Sequence, residues 1–281
     1  MRDERFEQIQ LEAFHLPIDG RARFCLLHLP RQRESEDRTV VYVHPFGEEM
    51  NKSRRMAALQ ARALAHAGWT VLQVDLLGCG DSEGEFGDAS WTCWVDDVSA
   101  AAAWLRERFG STAWLWGLRA GCLVAADAAR TMLPAPDLLL WQPVLSGSQH
   151  LQHLLRLRVA AQLMGSADAK RIDTRELRAR FAQGHAVEIA GYQISPALAL
   201  GLDAAELAPI PGSVRVAWIE VAATDEPALS PAASIRADAW RRAGHQVETR
   251  AVAGQPFWQT QEIAECHALI DATLAVATAA H

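Results

Sequence analysis

Two glycines frame an arginine at a point where the chain is expected to turn sharply from a strand into a helix. The segment is Gly117-Leu118-Arg119-Ala120-Gly121, preceded by the apolar residues 113–116 and followed by the helix-forming residues 122–126. In a G-x-S-x-G turn, this layout exposes a serine as a nucleophile. The glycines predict the turn, because strand and helix approach closely there. Arginine is permanently protonated, so Arg119 excludes the usual nucleophilic chemistry.

The positions at which a serine nucleophile would find its acid and its histidine follow from the predicted strands. Catalytic groups of open parallel sheets lie at the carboxyl ends of the strands. Asp225 follows the seventh predicted strand and fits the position of the acid. Gln255 follows the eighth, whereas His245 precedes that strand and His267 lies in the last helix. We expect Arg119, Asp225 and Gln255 to converge in one pocket as a degenerate triad that relays no proton.

Three other side chains are candidates for chemistry, and each has a structural alternative. Cys122 is a nucleophile if the neighbouring cation lowers its pKa, or it is a packing residue about one helical turn inward. His44 follows a predicted strand and is an oxyanion donor or a base, or its ring is satisfied by the loop backbone. Ser82 lies in a glycine-rich loop, where it binds a ligand or stabilises the turn.

The histidines and cysteines do not define a metal site. His150 and His153 are spaced for one helical face, but no carboxylate partner can be assigned to them. The five cysteines are scattered without the spacing of metal ligands, which is typical of reduced thiols in a cytosolic protein. We therefore expect no metal and no cofactor.

Composition and charge narrow the class of protein. The net charge of -7 argues against general nucleic-acid binding, for which a basic face is expected. The first residues lead into no apolar signal segment, and no stretch reaches transmembrane length, so we expect a cytoplasmic protein. A chain of 281 residues that is 50% hydrophobic suits one large α/β domain with an insertion.

Strand and helix patterns alternate along most of the chain, which predicts an eight-stranded, mostly parallel sheet with helices on both faces. Ile9 to Leu16 and Arg21 to Leu29 flank Asp19-Gly20 and predict an opening hairpin. Ser90 and Gly110 are the expected N-cap and C-cap of one helix. The other predicted strands are 39–43, 70–74, 113–116, 138–141, 215–221 and 247–252, and further helices span about 51–67, 231–243 and the residues up to 279.

The alternation breaks at 148–208, where the apolar spacing predicts amphipathic helices and no strand. We expect a helical cap here, inserted between a first core part, 1–147, and a second, 209–281. From residue 148 to residue 185 the insert has seven basic and three acidic side chains. It presents a solvated helix surface, or a basic lid that faces an anionic substrate or lipid head groups at a membrane surface. The basic side chains are Arg156, Arg158, Lys170, Arg171, Arg175, Arg178 and Arg180.

Four further motifs carry a family resemblance that covers nearly the whole chain: His44–Arg55, with Glu48–Arg55 its most specific part, Gly78–Gly84, Trp141–Gly147 and Gly191–Ser195. With these motifs the chain resembles the second type of exosortase A system-associated hydrolase, within the α/β-hydrolase superfamily. The resemblance implies the α/β-hydrolase fold and a hydrolase. It also implies a bacterial protein-sorting system that handles a short C-terminal anchor signal alongside exopolysaccharide production. Exosortase-system proteins are the partners that it implies.

Arg119 at the start of a helix has two open roles. It is an anion receptor, since helix N–H groups and a guanidinium both attract carboxylate or phosphate. Alternatively, it forms an internal ion pair with Asp225, Glu48 or Glu49. Tryptophans near the pocket favour an acyl chain, a sugar face or an apolar side chain as ligand. The expected binding residues are Phe46, Glu48, Ser82, Trp141, Gln142, Gln255 and Trp258.

Two classes of function follow from these residues. In the first, the protein hydrolyses an ester, a thioester or a related acyl bond with a nucleophile other than residue 119. In the second, it is a non-catalytic protein of hydrolase fold that binds an anionic ligand or a partner through Arg119 and the basic cap. The fold favours the first class and the chemistry of the site favours the second.

Overall fold

A computed structural model describes residues 9–31, 38–165 and 173–278 of the chain. Its centre is an eight-stranded sheet with the strand order β1-β2-β4-β3-β5-β6-β9-β10. The strands from β4 to β10 in this order pair in parallel, whereas β1 and β2 are antiparallel additions at one edge. The predicted α/β-hydrolase fold, with its mostly parallel sheet, is therefore confirmed. The strands are β1 Ile9–Ile18, β2 Arg21–Pro30, β3 Arg38–Val43, β4 Trp69–Val74, β5 Trp114–Leu118, β6 Leu138–Trp141, β9 Arg215–Ala222 and β10 Gln246–Ala253.

Helices cover both faces of this sheet. Buried apolar residues of α1 and α8 form the core on one face, and those of α2, α3 and α7 belong to a larger core on the other. None of the helices within the described ranges combines the length and the apolar character that crossing a membrane requires. The helices are α1 Glu48–His66, α2 Trp91–Phe109, α3 Gly121–Thr131, α4 Gly147–Gly165, α5 Thr174–Ala182, α6 Pro196–Ala204, α7 Pro231–Arg242 and α8 His267–Thr278.

The predicted caps of α2 are confirmed. The Ser90 side chain accepts a hydrogen bond from the Cys93 N–H, and Gly110 ends the helix with a φ of 80°. The opening hairpin is also confirmed, because Asp19 and Gly20 both adopt the positive φ that a two-residue hairpin turn requires.

Helix α1 begins at Glu48, three residues before the predicted start at Asn51. Gly47, with a φ of 62°, lets the chain turn directly from the loop after β3 into the helix. Glu48 and Glu49 then occupy the first turn, where carboxylates are stabilised by the helix dipole. The segment with the most specific family resemblance is therefore the N-terminal part of a helix.

The insert after β6 contains a short hairpin besides its helices, so the prediction of a purely helical segment is wrong. Strands β7 (Val187–Ile189) and β8 (Tyr192–Ile194) pair antiparallel. Ala190 and Gly191 form the turn with φ angles of 50° and 85°. Each strand has only three residues, too few for an alternating pattern to stand out in the sequence.

A buried ion pair joins the opening hairpin to α2. The side chains of Arg23 on β2 and Asp97 on α2 are each 1% exposed, and Arg23 Nε lies 2.8 Å from Asp97 Oδ1. Asp97 Oδ2 accepts a hydrogen bond of 2.8 Å from the Leu77 N–H, in the loop after β4. Buried charges are tolerated in a protein interior when they are paired. Through its two carboxylate oxygens, Asp97 joins β2, α2 and the loop after β4.

Candidate functional site

Arg119 lies in the strand-to-helix turn between β5 and α3, as predicted. Its φ of 54° is in the left-handed region, which residues other than glycine seldom adopt. Its backbone N–H donates to the Trp141 carbonyl at 3.0 Å, and its carbonyl accepts from Val144 N at 3.2 Å. These backbone hydrogen bonds to the last residue of β6 and to the segment after it hold the strained turn in place.

The two glycines of the turn are required for steric reasons. A Cβ on Gly117 would lie 2.6 Å from Cys122 Cα, and a Cβ on Gly121 would lie 2.3 Å from the Val43 carbonyl oxygen. Both obstacles are backbone atoms, which cannot move aside as a flexible side chain can. The close approach predicted from the glycine spacing is therefore confirmed.

The Arg119 side chain forms an internal ion pair with Glu49, one of the three partners considered. Arg119 Nε donates to Glu49 Oε1 at 3.0 Å, and the two side chains are 20% and 21% exposed. Arg119 Nη1 also donates to the Gln142 carbonyl at 3.4 Å, and Cζ lies 5.4 Å from the centre of the Trp258 ring. The guanidinium is thus held by a carboxylate, a carbonyl and an aromatic face.

Burial raises the pKa of the Glu49 carboxyl, and Arg119 opposes that rise. A carboxyl whose pKa is higher in the folded chain stabilises the fold at low pH, and this contribution is lost as the pH rises through the folded pKa. Arg119→Met removes the opposing cation. We expect it to lower the free energy of unfolding by about 1.5–3 kcal/mol at neutral pH and by clearly less near pH 4.

Urea denaturation of both proteins between about pH 4 and pH 8 measures this difference. The double variant Arg119→Met/Glu49→Gln is the matched control, because it removes both charges and should recover much of the loss at neutral pH. A loss that is equal at both ends of the pH range would contradict an ion pair between Arg119 and Glu49.

His44 does not have a free ring nitrogen. Its Nε2 accepts a hydrogen bond of 3.0 Å from the Leu76 N–H, and its Nδ1 bonds to the Pro45 carbonyl. The residue is buried, and that burial lowers its pKa. Since the loop backbone occupies both nitrogens, the structure supports the structural alternative and not the oxyanion donor or base.

Cys122 and Ser82 also have structural roles. Cys122 is fully buried, its Sγ lies 3.6 Å from the Trp141 carbonyl, and burial raises the pKa of its thiol. A buried thiol of high pKa is a poor nucleophile. The Ser82 hydroxyl donates to the Asp75 carbonyl and accepts from the Phe24 N–H, which fixes the glycine-rich loop against the hairpin.

Trp141 and Gln142, at the carboxyl end of β6, each bond to a neighbouring element of the core. The Trp141 ring is fully buried, and its Nε1 donates to Thr273 Oγ1 on α8 at 2.9 Å. Gln142 has a φ of 42°, and its side-chain oxygen accepts from Val221 N on β9 at 2.7 Å. Neither side chain lines the cavity described below, although the sequence suggests both as binding residues.

Asp225 and Gln255 are exposed on the loops that follow β9 and β10. Neither side chain is in contact with Arg119 among the described interactions, and neither lines the cavity beside Trp258. Arg119, Asp225 and Gln255 follow β5, β9 and β10, so all three lie at the carboxyl edge of the sheet, and a shared pocket for their side chains stays a prediction. The carboxylate that pairs with Arg119 comes from Glu49, in the first turn of α1.

A largely apolar cavity of about 380 Å³ opens next to Glu49 and Trp258. The start of α1, one face of α4, the β7–β8 hairpin and the loop after β10 enclose it. Phe46, Glu48 and Trp258 line it, as the sequence suggests, whereas the sequence reasoning missed most of the other lining residues. Among those are Glu49, Lys52, Phe86, His150, His153, Leu154, Leu157, Ile189, Tyr192, Ile194, Thr260 and Gln261.

Polar contacts at the cavity mouth connect α1 to both neighbouring segments. The Tyr192 hydroxyl donates to Glu48 Oε1 at 3.2 Å and accepts from Asn51 Nδ2 at 3.0 Å. Lys52 Nζ donates to the Gln261 carbonyl at 2.7 Å. The α1 residues in these contacts belong to the segment Glu48–Arg55, which carries the most specific part of the family resemblance. That resemblance is the sequence signal that could have pointed to this side of the cavity.

His150 is a cavity residue that the sequence suggests only as half of a weak metal pair. It is 9% exposed, and its ring meets the Phe46 ring edge-on with centroids 5.7 Å apart. Burial, with Arg119 and His153, lowers its pKa to about 3, so it is neutral at physiological pH. Within the described ranges, no three His, Cys, Asp or Glu side chains are grouped so that they could hold a metal ion.

Residues 34–200 match the family model described as serine aminopeptidase, S33. This match spans more than half of the chain. The chain belongs to the serine aminopeptidase S33 family. In this chain the strand-to-helix turn at Gly117–Gly121, called the elbow below, holds Arg119 in place of the serine of a G-x-S-x-G turn. No protein of curated function matches the chain.

Solved structures confirm the fold of this S33-family chain. Est1E from Butyrivibrio proteoclasticus, solved with ferulic acid, is 15% identical with a TM-score of 0.66 over 95% of this chain and 98% of its own. A thermostable carboxyl esterase from Bacillus coagulans, in complex with glycerol, is 14% identical with a TM-score of 0.64, covering 97% and 98% of the two chains. An α/β serine hydrolase without lid from Xanthomonas campestris is 17% identical with a TM-score of 0.57, covering 96% and 94%.

Proposed function

We propose that this S33-family protein binds a ligand in the cavity beside Arg119 and does not hydrolyse it through a covalent intermediate. One observation carries the proposal: the elbow position holds a guanidinium, which Glu49, the Gln142 carbonyl and the Trp258 ring all contact. A guanidinium cannot attack a carbonyl carbon, and its replacement of serine leaves the elbow without a nucleophile.

The other residues of the cavity support a binding role. No serine or cysteine is among the described residues that line it, and the hydroxyl of Thr260 donates to backbone carbonyls. Most of the lining is apolar or aromatic, which suits a small-molecule ligand with an acyl chain or a similar apolar body.

The setting of this function follows from the family resemblance and the insert. The protein would work in the cytoplasm with exosortase A system proteins as partners, and its five free thiols fit a reducing compartment. The segment 148–208 would act as a cap, since its α4 and its hairpin line the cavity. Glu48, Glu49 and Lys52, from the most specific stretch of the resemblance, form the facing wall.

An anionic ligand bound through Arg119 and the basic cap is one version of this proposal. Arg119 would be its receptor, because a guanidinium binds carboxylate and phosphate groups, and the ligand would have to displace the Glu49 carboxylate that now pairs with Arg119. The cap contributes less than its composition suggests, because Arg178 pairs with Asp203 at 2.6 Å. Lys170 and Arg171 lie outside the described residues.

Hydrolysis of an ester, a thioester or a related acyl bond is the second candidate function, and membership of the S33 family favours it. We expect a fluorophosphonate probe to leave the wild-type protein unlabelled, because no serine is placed at the elbow. Arg119→Ser should also stay unlabelled, since Gln255 stands where the activating histidine is expected.

Intact-protein mass spectrometry after incubation with the probe measures labelling, with a serine esterase of the same fold as positive control. Turnover of p-nitrophenyl butyrate is followed in parallel. Stoichiometric labelling of the wild-type protein would refute the binding role, and the modified residue would be the nucleophile of the second candidate.

A further inference from the structure

We propose that the cavity takes an uncharged amphiphile, whose apolar chain lies on the aromatic and aliphatic walls while a carbonyl or hydroxyl group hydrogen-bonds to the His150 ring. This inference rests on the proposed function, since it treats the cavity as a ligand site. It adds the chemical class of the ligand and assigns His150 as the residue that determines specificity.

His150 is a polar side chain on a mostly apolar part of the cavity wall, and no described protein group forms a hydrogen bond with its ring. It is 9% exposed and lines the cavity, and neither ring nitrogen takes part in a described hydrogen bond. His44, by contrast, has both nitrogens bonded to backbone groups. Because a buried imidazole without a hydrogen bond is costly, a ligand atom in the cavity is the partner that His150 needs.

The ring of His150 is neutral and held in orientation. Burial lowers its pKa to about 3, so near pH 7 it offers one donor nitrogen and one acceptor nitrogen. Phe46 packs edge-on against the ring and limits its rotation. A hydroxyl can use either nitrogen, and a carbonyl can accept from the donor.

The charges around the cavity favour a ligand without net charge. Glu48 and Glu49 bring two negative charges, and Lys52 and Arg119 bring two positive ones. Arg119 is paired with Glu49, and Lys52 is bonded to the Gln261 carbonyl. His153 is exposed at the rim, where water screens it. These four charges sum to zero, so a ligand carboxylate would meet two carboxylates besides two cations, and a ligand ammonium would meet the same balance. Neither charged group gains a net electrostatic attraction that offsets the loss of its water shell.

The remaining walls fit a hydrocarbon chain. They are Phe46, Phe86, Leu154, Leu157, Ile189, Ile194 and the ring of Trp258. A volume of about 380 Å³ is within the range of small-molecule pockets. Trp258 at the wall also gives the experiment an intrinsic fluorescent reporter.

Binding of five probes with an eight-carbon chain tests the inference: methyl octanoate, 1-octanol, octanoate, octylammonium and 1-octene. Dissociation constants near pH 7.5 are measured by tryptophan fluorescence and checked by calorimetry. We expect methyl octanoate and 1-octanol to bind the wild-type protein about tenfold more tightly than octanoate or octylammonium.

His150→Phe keeps the aromatic contact with Phe46 and removes the hydrogen bond. We expect it to weaken methyl octanoate and 1-octanol by about 3- to 10-fold, the equivalent of one neutral hydrogen bond, while 1-octene binds as before. His150→Gln retains a donor and an acceptor and should keep the preference for the two uncharged polar probes. His185→Phe, at an exposed histidine after α5, is the matched control and should change nothing.

The outcomes separate this inference from the proposed function. Tightest binding of octanoate would overturn the inference and favour the anionic version of the ligand. An unchanged preference in His150→Phe would overturn the role assigned to His150. In both cases the binding role would stand. If His150→Phe does not fold, His150→Leu, which also removes both ring nitrogens, takes its place in the same comparison. If no probe binds the wild-type cavity, the inference and the proposed cavity ligand both fail.

Discussion

Replacement of Asp97 by alanine is expected to lower the free energy of unfolding by about 3–5 kcal/mol. The substitution leaves the Arg23 guanidinium in a place where its side chain is 1% exposed, without the carboxylate 2.8 Å from its Nε. It also removes the acceptor of the Leu77 N–H. An uncompensated buried cation costs more than the pair contributes, which is why removal of one partner has so large an effect.

Urea denaturation followed by circular dichroism measures the loss. Asp96→Ala is the matched control, since Asp96 lies next to Asp97 on α2 but is exposed, and we expect a change within about 0.5 kcal/mol. The double variant Arg23→Met/Asp97→Leu removes both charges and should recover most of the stability. An Asp97→Ala protein as stable as the Asp96→Ala protein would show that this pair does not join the hairpin to α2.

Gly121→Ala is expected to cost about 3 kcal/mol or more, at the upper end of the range for overpacking. The new methyl group would lie 2.3 Å from the Val43 carbonyl oxygen and 2.6 Å from that of His44. Relief of this clash requires α3 to move away from β3. Because Arg119 begins the same turn, such a movement would also separate its guanidinium from Glu49 and alter the cavity.

The control for this variant is Gly87→Ala, where the nearest atom to the new Cβ, Gln193 Cβ, is 3.5 Å away and in ordinary contact. The unfolding temperatures of both variants are compared with that of the wild-type protein. A Gly121→Ala protein that unfolds at the wild-type temperature would mean that β3 and α3 are farther apart than the structure places them.

The Arg119–Glu49 pair changes how the elbow should be interpreted within the S33 family. In a hydrolase, the elbow presents its central side chain to the substrate as a reagent. Here the same strained backbone presents a cation that is already neutralised by a neighbouring carboxylate and covered by Trp258. The glycines of this turn are required by its packing, and the cavity lies on the side of Glu49, His150 and Trp258.

Much of the fold could be predicted from the sequence, because local patterns carry it. The alternation of apolar strands and amphipathic helices is enough to predict a mostly parallel sheet. Asp19-Gly20 marks the hairpin turn because both residues tolerate a positive φ. Ser90 and Gly110 mark the two ends of α2, as an N-cap that accepts a backbone hydrogen bond and a C-cap with positive φ. The turn at Arg119 could also be predicted locally, since its two glycines are required where neighbouring backbone segments come too close for a side chain. The missed β7–β8 hairpin, with three residues a strand, has too short a pattern to be recognised.

Phe46, Glu48 and Trp258 could be named from the sequence, but the contacts within the site were decided by the tertiary structure. Asp225 is a better match to the position of a catalytic acid, yet Glu49 reaches Arg119 because α1 begins at Glu48 and directs its first turn toward the elbow. His44 lies at the right strand end, but the backbone of two loops occupies its ring. The only local signal for His150 is its helical spacing from His153, whereas the role proposed for it rests on its burial beside Phe46. Sequence periodicity records which face of an element is buried, whereas hydrogen-bond partners depend on distances between segments far apart in the chain.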